Sequence, residues 1–536
     1  MRKAYLISFP RPRSLAVLSL PLLAALAGAC GDSAAGDGAS GSAGADTEGS
    51  GTSAGGSGES GASDGPWGTT GWDEDGAPTS SAGSGDTGAA STGGEEPPPE
   101  PTENTSTGDD TTGGEPVCDT EKPVTLFLSP DDSNSTSSPV QAREAVLSGW
   151  GSLTQVPIRT WEFLNYYSFT YPQPEPGQVS LTPEIAQLGD TGQFVVQIGV
   201  ASEHLGNADR PLMNITLVLD ESGSMSGLPL ELEREVCRTI AASLHEGDVV
   251  SAVGWDTKNA IKLAGHVISK PNDPVLLDVC NNLSAGGGTD LHGGLSAGYD
   301  LAQQQFDPGR INRVVLISDG GANAGITDID IIAAGAGSQD EDGIYLVGVG
   351  VGSPESYHDN LMDTVTDVGR GASLFIPSKE EAHKMFGERF VQTMAVAVRD
   401  VRVRLDLPPG FSIVKFSGEE YSSDPAEIEP QHLAPNDAMV FHQTVQTCAP
   451  SLVDESAEFK VTVRWKDPIT FEERETEVGK KILETLSGET PLLKKGAAVF
   501  AYAEGLKEFR NQGTAAALQP AFDALAAAEA DLPGDA

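Results

Sequence analysis

The sequence predicts a doubly wound α/β domain inserted into a β-sandwich that strands on both sides of it build, followed by a C-terminal helical segment. Three observations predict this. Apolar runs of strand length, Met213–Leu219, Val314–Ser318 and Ile344–Val351, alternate with helical patterns through the middle of the chain. On either side the period becomes two. Phe194, Val196, Ile198 and Val200 form one such set, Val401, Val403, Leu405 and Leu407 a second, and Phe459, Val461, Val463 and Trp465 a third. From Leu492 to about Leu525 the chain is Ala-rich and reads as helix.

In the central region, strand Met213–Leu219 leads to helix Pro229–Leu244, then to strands Asp248–Trp255 and Ala260–Ile268. Asp273-Pro274 opens another helix, with Asp as N-cap and Pro in the first turn. Helix Leu291–Gln305 precedes strand Val314–Ser318. Helix Asp328–Ala336, strand Ile344–Val351, helix Asp359–Val368 and strand Ser373–Ile376 follow. A last helix runs from Lys379 to Met394, with a capping box at Ser378 and Glu381. The half-buried alternating strands outside this region are expected to pair across it, which makes the α/β domain an insertion.

Three short segments carry oxygen ligands. Asp220-Glu221-Ser222-Gly223-Ser224 follows the first apolar strand directly. Gly286-Gly287-Gly288-Thr289-Asp290 opens a helix, and Ser318-Asp319-Gly320 ends a second apolar strand. Loops at the carboxyl ends of parallel strands are where α/β sheets bind ligands, and hard divalent cations take oxygen donors. At these residues the chain resembles a von Willebrand factor type A domain with a complete metal-ion-dependent adhesion site. The resemblance implies a Rossmann-like domain that holds Mg²⁺, or Mn²⁺ and less readily Ca²⁺, through Asp220, Ser222, Ser224, Thr289 and Asp319. It also implies a protein ligand that completes the site with an Asp or Glu carboxylate. The chemistry agrees. Three neutral hydroxyls and two acidic groups leave a divalent ion under-neutralised, whereas a site built for stability would be closed by more carboxylates. The alternatives are a domain of this fold without metal, or an Asp and Ser that merely cap the next helix.

Both flanks resemble those of bacterial lipoproteins that carry this domain. The matching segments run from Val156 to Pro172, including Arg159, Trp161, Glu162 and Asn165-Tyr166-Tyr167, and over Trp465-Lys466-Asp467-Pro468. The resemblance covers about residues 124 to 512. The aromatic cluster Trp161–Tyr171 is expected to be core packing rather than a ligand groove.

The first residues read as an export signal. Arg2, Lys3, Arg11 and Arg13 precede an apolar core, Leu15–Leu26, and small residues lead to Cys30. Cys30 resembles the lipidated cysteine of a bacterial lipobox, with Ala27 where that family usually has leucine. The alternative is a plain signal peptide cut near Ala29. Residues 30–117 are read as a disordered acidic tether: Gly31 to Val117 holds no Lys or Arg and 17 of the 78 acidic residues. The expected domains are then a signal peptide over 1–29, this tether, an N-terminal flank over 118–210, the α/β domain over 211–395 and a C-terminal flank over 396–536.

A formal net charge of −45 argues against nucleic acid and against docking on anionic surfaces. Four cysteines remain besides Cys30. In an exported chain they favour disulfides, and the pairs Cys237–Cys280, within the α/β domain, and Cys118–Cys448, across the flanks, are preferred. The eight histidines show no metal-ligand spacing, and Ser222 lacks the preceding glycine of a nucleophile elbow, so no enzyme is expected. The sequence therefore predicts a lipid-anchored envelope protein, at the outer membrane or cell surface, that binds a protein through a metal. The alternative is a structural or assembly subunit of an envelope complex.

Overall fold

A computed structural model of the chain describes residues 118–130, 134–149, 151–189, 192–321 and 343–535. The first elements are β1 (Val124–Ser129), α1 (Ser137–Leu147), α2 (Thr160–Tyr166), β2 (Ser180–Leu188) and β3 (Gln193–Ala201). The α/β unit then begins with β4 (Met213–Asp220), α3 (Leu228–Ser243), β5 (Val249–Trp255), β6 (Asn259–Val267), α4 (Pro274–Asn281) and α5 (Leu291–Gln304). It continues with β7 (Ile311–Ser318), β8 (Tyr345–Val351), α6 (Asp359–Val368), β9 (Ser373–Ile376), α7 (Lys379–His383) and α8 (Phe390–Met394). Strands β10 (Val398–Leu407), β11 (Phe411–Phe416), β12 (Glu420–Ser422) and β13 (Gln431–Leu433) follow. The chain closes with β14 (Ala438–Thr447), β15 (Glu458–Lys466), β16 (Glu473–Lys481), and helices α9 (Ile482–Thr485), α10 (Pro491–Gln512) and α11 (Gln519–Asp531).

The α/β unit is built on one sheet in the order β6-β5-β4-β7-β8-β9. Its strands are parallel except β6, an antiparallel edge. Helices cover both faces. Ile215, Leu217 and Leu219 of the central strand enter the core shared with α3 and α4, while Val218 enters the core shared with α5 and α6. Burial on both faces explains why this strand reads as a continuous apolar run rather than an alternation. Helix α5 lies close to the sheet because two of its positions lack a Cβ. One added at Gly294 would sit 2.4 Å from Trp255, and one at Gly298 2.3 Å from Val218. From β4 the chain moves to β5, then crosses to β7 on the other side of β4. The carboxyl ends of β4 and β7 therefore flank the topological switch point, where open α/β sheets take their ligands.

Outside this unit lie two antiparallel sheets, ordered β12-β1-β10-β15-β16 with β13 on β10, and β11-β14-β3-β2. Each joins strands from before and after the α/β unit: Val124 of β1 faces Leu407 of β10, and Phe194 of β3 faces Val445 of β14. Their inner faces share one apolar core that includes Ile185, Ile198, Leu405, Phe441 and Val461. The outer face of the second sheet is covered by α2 and α10, through Phe163, Leu164, Ala503 and Leu506. The aromatic segment around α2 is core here. Phe163 is fully buried and meets Tyr502 edge-on at 5.5 Å.

One helical expectation is corrected. Lys379–Met394 is not one helix. A π turn over Lys384–Glu388 separates α7 from α8, with the Arg389 N–H donating to the Lys384 carbonyl. The Phe386 carbonyl is taken instead by Ser243 Oγ of α3, at 2.7 Å, so a contact from a distant element replaces the local ladder. The segment after Leu492 is helical as expected, and it is divided into two helices. Gly513, at φ +65°, ends α10 in the left-handed conformation that glycine adopts without strain. The expected helix Asp328–Ala336, the export signal, the tether and Cys30 lie outside the described residues.

Candidate metal centre

Four predicted ligands lie at the carboxyl ends of β4 and β7, and the fifth in the loop before α5. Asp220 is the last residue of β4 and fully buried; Ser222 is also buried, and Ser224 is exposed. Thr289 and Asp319 are buried, Asp319 directly after β7. Asp220 Oδ1 accepts from the Ser222 N–H (2.8 Å), which folds the loop back over the strand end. Ser222 Oγ and Ser224 Oγ are 3.0 Å apart. The loop carrying Thr289 is docked by the backbone: Gly223 N–H donates to Gly287 O (3.3 Å) and Gly286 N–H to Glu221 O (2.8 Å).

Three residues that the sequence reading missed hold these loops. Ser318 Oγ donates to Asp220 Oδ2 (2.6 Å) and accepts from the Gly320 N–H (2.9 Å). Glu221 pairs with Lys262 of β6 (2.5 Å) and accepts from the Ser284 N–H (3.1 Å). Glu233 of α3, buried beneath the loop, accepts from the Asp220 N–H (2.8 Å). Ser318, next to Asp319, and Glu221, between Asp220 and Ser222, stood inside segments already singled out, but neither was given a role; Glu233 lay outside them. Glu221 and Glu233 act through neighbours that no local pattern reveals.

Burial, reinforced by the nearby Asp319 charge, pushes the Asp220 carboxyl up to about 7 against hydrogen bonds from Ser318 and Ser222. Burial first, and then the Asp220 charge, raises Glu233 as well. Among the described residues no Lys, Arg or His forms an ion pair with Asp220 or Asp319. Nor do three or more His, Cys, Asp or Glu side chains cluster as metal ligands there. The donor set is two carboxylates and three hydroxyls, all oxygen. Such donors fit a hard divalent cation and fit neither zinc nor a soft metal.

A family model for the von Willebrand factor type A domain matches residues 214–387. The chain contains a von Willebrand factor type A domain. It is 26% identical over 264 residues to the uncharacterized protein YfbK of Escherichia coli K12, covering 47% of this chain and 45% of that one. It is 25% identical over 219 residues to the uncharacterized protein sll0103 of Synechocystis, covering 41% and 50%. The chain thus spans about half the length of the curated relatives it matches. A von Willebrand factor type A structure from Catenulispora acidiphila is similar over 68% of this chain and 90% of that one, at 15% identity and a TM-score of 0.44. The A domain holds the five candidate ligands, and the two antiparallel sheets lie outside the matched residues.

Disulfides join Cys237 to Cys280, between α3 and α4, and Cys118 to Cys448, across the flanking sheets. These are the preferred pairs. No described helix is long and apolar enough to cross a membrane.

Proposed function

We propose that this protein binds another protein through a divalent cation held by Asp220, Ser222, Ser224, Thr289 and Asp319. The observation that carries the reading is the charge of the donor set. Two carboxylates and three hydroxyls neutralise a divalent ion only in part, and Mg²⁺ suits a site with few carboxylates and several waters. When bound, the cation supplies an electrophilic position that an Asp or Glu carboxylate of the partner completes. The chain's own residues do the rest. Ser318 and the Ser222 amide aim the Asp220 carboxylate, while Glu233 and Glu221 hold the loop at the strand end. Exposed Gly223 and Ser224 leave the loop crest open to a docking surface.

The same reading places the protein in the cell envelope, lipid-anchored at Cys30. Two disulfides support export, because they persist in oxidising compartments. The test is capture of envelope proteins on immobilised wild-type protein in Mg²⁺ and in chelator. A partner retained in Mg²⁺, released by chelator and never captured by Asp220→Ala supports metal-mediated binding. A partner retained equally in chelator would favour a structural or assembly role.

A further inference from the structure

Asp319 is supported from behind by a residue of another loop. The His358 N–H donates to the Asp319 carbonyl at 3.1 Å. Gly320 follows at φ +86°, and a Cβ there would lie 2.6 Å from the His358 carbonyl. The turn carrying Asp319 thus rests directly on the His358 backbone, and only glycine fits at its next position.

His358 in turn immediately precedes Asp359, the first residue of α6, which is buried. Asp359 is held almost wholly by the N-terminal flank. Arg159 pairs with it through Nη2, Ser137 Oγ donates to Oδ1 (3.1 Å), and Gln141 Nε2 donates to the same oxygen. Arg159 also reaches Asp363 of α6 (2.9 Å) and Glu162 of α2 (3.0 Å). One cation therefore serves three carboxylates in a mostly buried site, and its pKa is raised despite burial, by Asp359, Asp363 and Glu162. The same flank is tied to the sheet edge, where Thr136 N–H donates to Ser373 O (2.9 Å) and Ser373 N–H to Ser135 Oγ (3.0 Å). Removing one partner from a mostly buried ionic cluster leaves the others unpaired, which costs far more than losing an exposed ion pair.

We infer that Arg159 and Asp359 are positioning residues of the metal centre: the N-terminal flank clamps Asp359, which fixes His358, which fixes the turn bearing Asp319. The flank is then a support that sets metal affinity, and hence partner affinity, from outside the A domain. This rests on the proposed function. Residues behind metal ligands commonly change affinity by about 10–100-fold when altered, which is the scale expected here.

The test compares full-length protein with its Arg159→Lys and Asp359→Asn variants. Arg159→Lys keeps the charge but loses the forked geometry, and Asp359→Asn is isosteric, so it still reports if the lysine variant folds poorly. Arg370→Lys serves as control, because it alters another ion pair between the A domain and β10, Arg370–Asp400 (2.9 Å), away from the Asp319 turn. Mn²⁺ affinity is read by calorimetry. Amide exchange of peptides spanning His358 is read in metal-free protein. The expected result is Mn²⁺ binding weakened about tenfold and faster exchange at His358 in both test variants, with neither change in the control. Wild-type values for both readouts in Asp359→Asn would overturn the inference, as would an equal loss in the control. Wild-type protein that binds no Mn²⁺ would overturn the proposed function itself, and with it the claim that this support serves a metal; exchange at His358 separates the two failures.

Discussion

Ser318 Oγ donates to Asp220 Oδ2 across 2.6 Å, joining the carboxyl ends of two neighbouring parallel strands. One hydroxyl therefore aims a carboxylate that comes from 98 residues earlier in the chain. Ser318→Ala is expected to leave the fold intact and to weaken Mn²⁺ binding about tenfold, because residues that orient metal ligands are worth about that much. Titration followed by electron paramagnetic resonance checks it. Unchanged affinity would show that Asp220 is held well enough by the Ser222 amide alone.

The disulfide between α3 and α4 closes a 43-residue stretch of chain beside the loop at Asp220. In the chain-entropy view, a loop of this length is worth about 4 kcal/mol. The double variant Cys237→Ala, Cys280→Ala should lower the urea midpoint clearly and raise the slope, because the unfolded chain is less compact without the cross-link. A midpoint equal to wild type would mean that the cross-link adds no stability to this core.

Much of the fold was legible because it follows from local pattern. The run Met213–Leu219, Asp220 at its end and the glycine-rich segment before Thr289 each declare themselves within a few residues. The cysteine pairing could be argued from which elements carry each residue. Glu221, Glu233 and Arg159 could not be read this way. Their partners are Lys262, the Asp220 amide and Asp359, brought close only by the folded chain. The π turn at Lys384–Glu388 was hidden for the same reason: its helical pattern is sound, and Ser243 alters it from outside.

Asp400 gives a dependence on pH. Burial would raise its carboxyl, but hydrogen bonding from Lys466 and the neighbouring Arg370 charge hold it down at about 2, below its ordinary value of 3.8. The unfolded chain therefore binds the proton more readily than the folded one between these values. Stability from this residue is present above the ordinary value and is lost as pH falls through the folded one. Asp400→Asn should flatten the acid limb of a urea-midpoint profile recorded downward from about pH 5. A variant profile parallel to wild type over that window would show that Asp400 contributes nothing to it.

Cys30 provides a test of location. Two or more acyl chains anchor far more firmly than one, so wild-type protein expressed with its leader should enter the detergent phase and Cys30→Ala should remain aqueous. Equal aqueous partitioning of both would leave a secreted protein cut near Ala29.

The most direct measurement is calorimetric titration of Mg²⁺ and Mn²⁺ into wild-type protein and into Asp220→Ala and Asp319→Ala. One divalent ion should bind wild type, and neither variant should bind it, while their circular dichroism in metal-free buffer stays close to wild type. Variants that take up metal as well as wild type would place the ion elsewhere, and a wild-type protein that binds none at millimolar concentration would contradict the metal centre altogether.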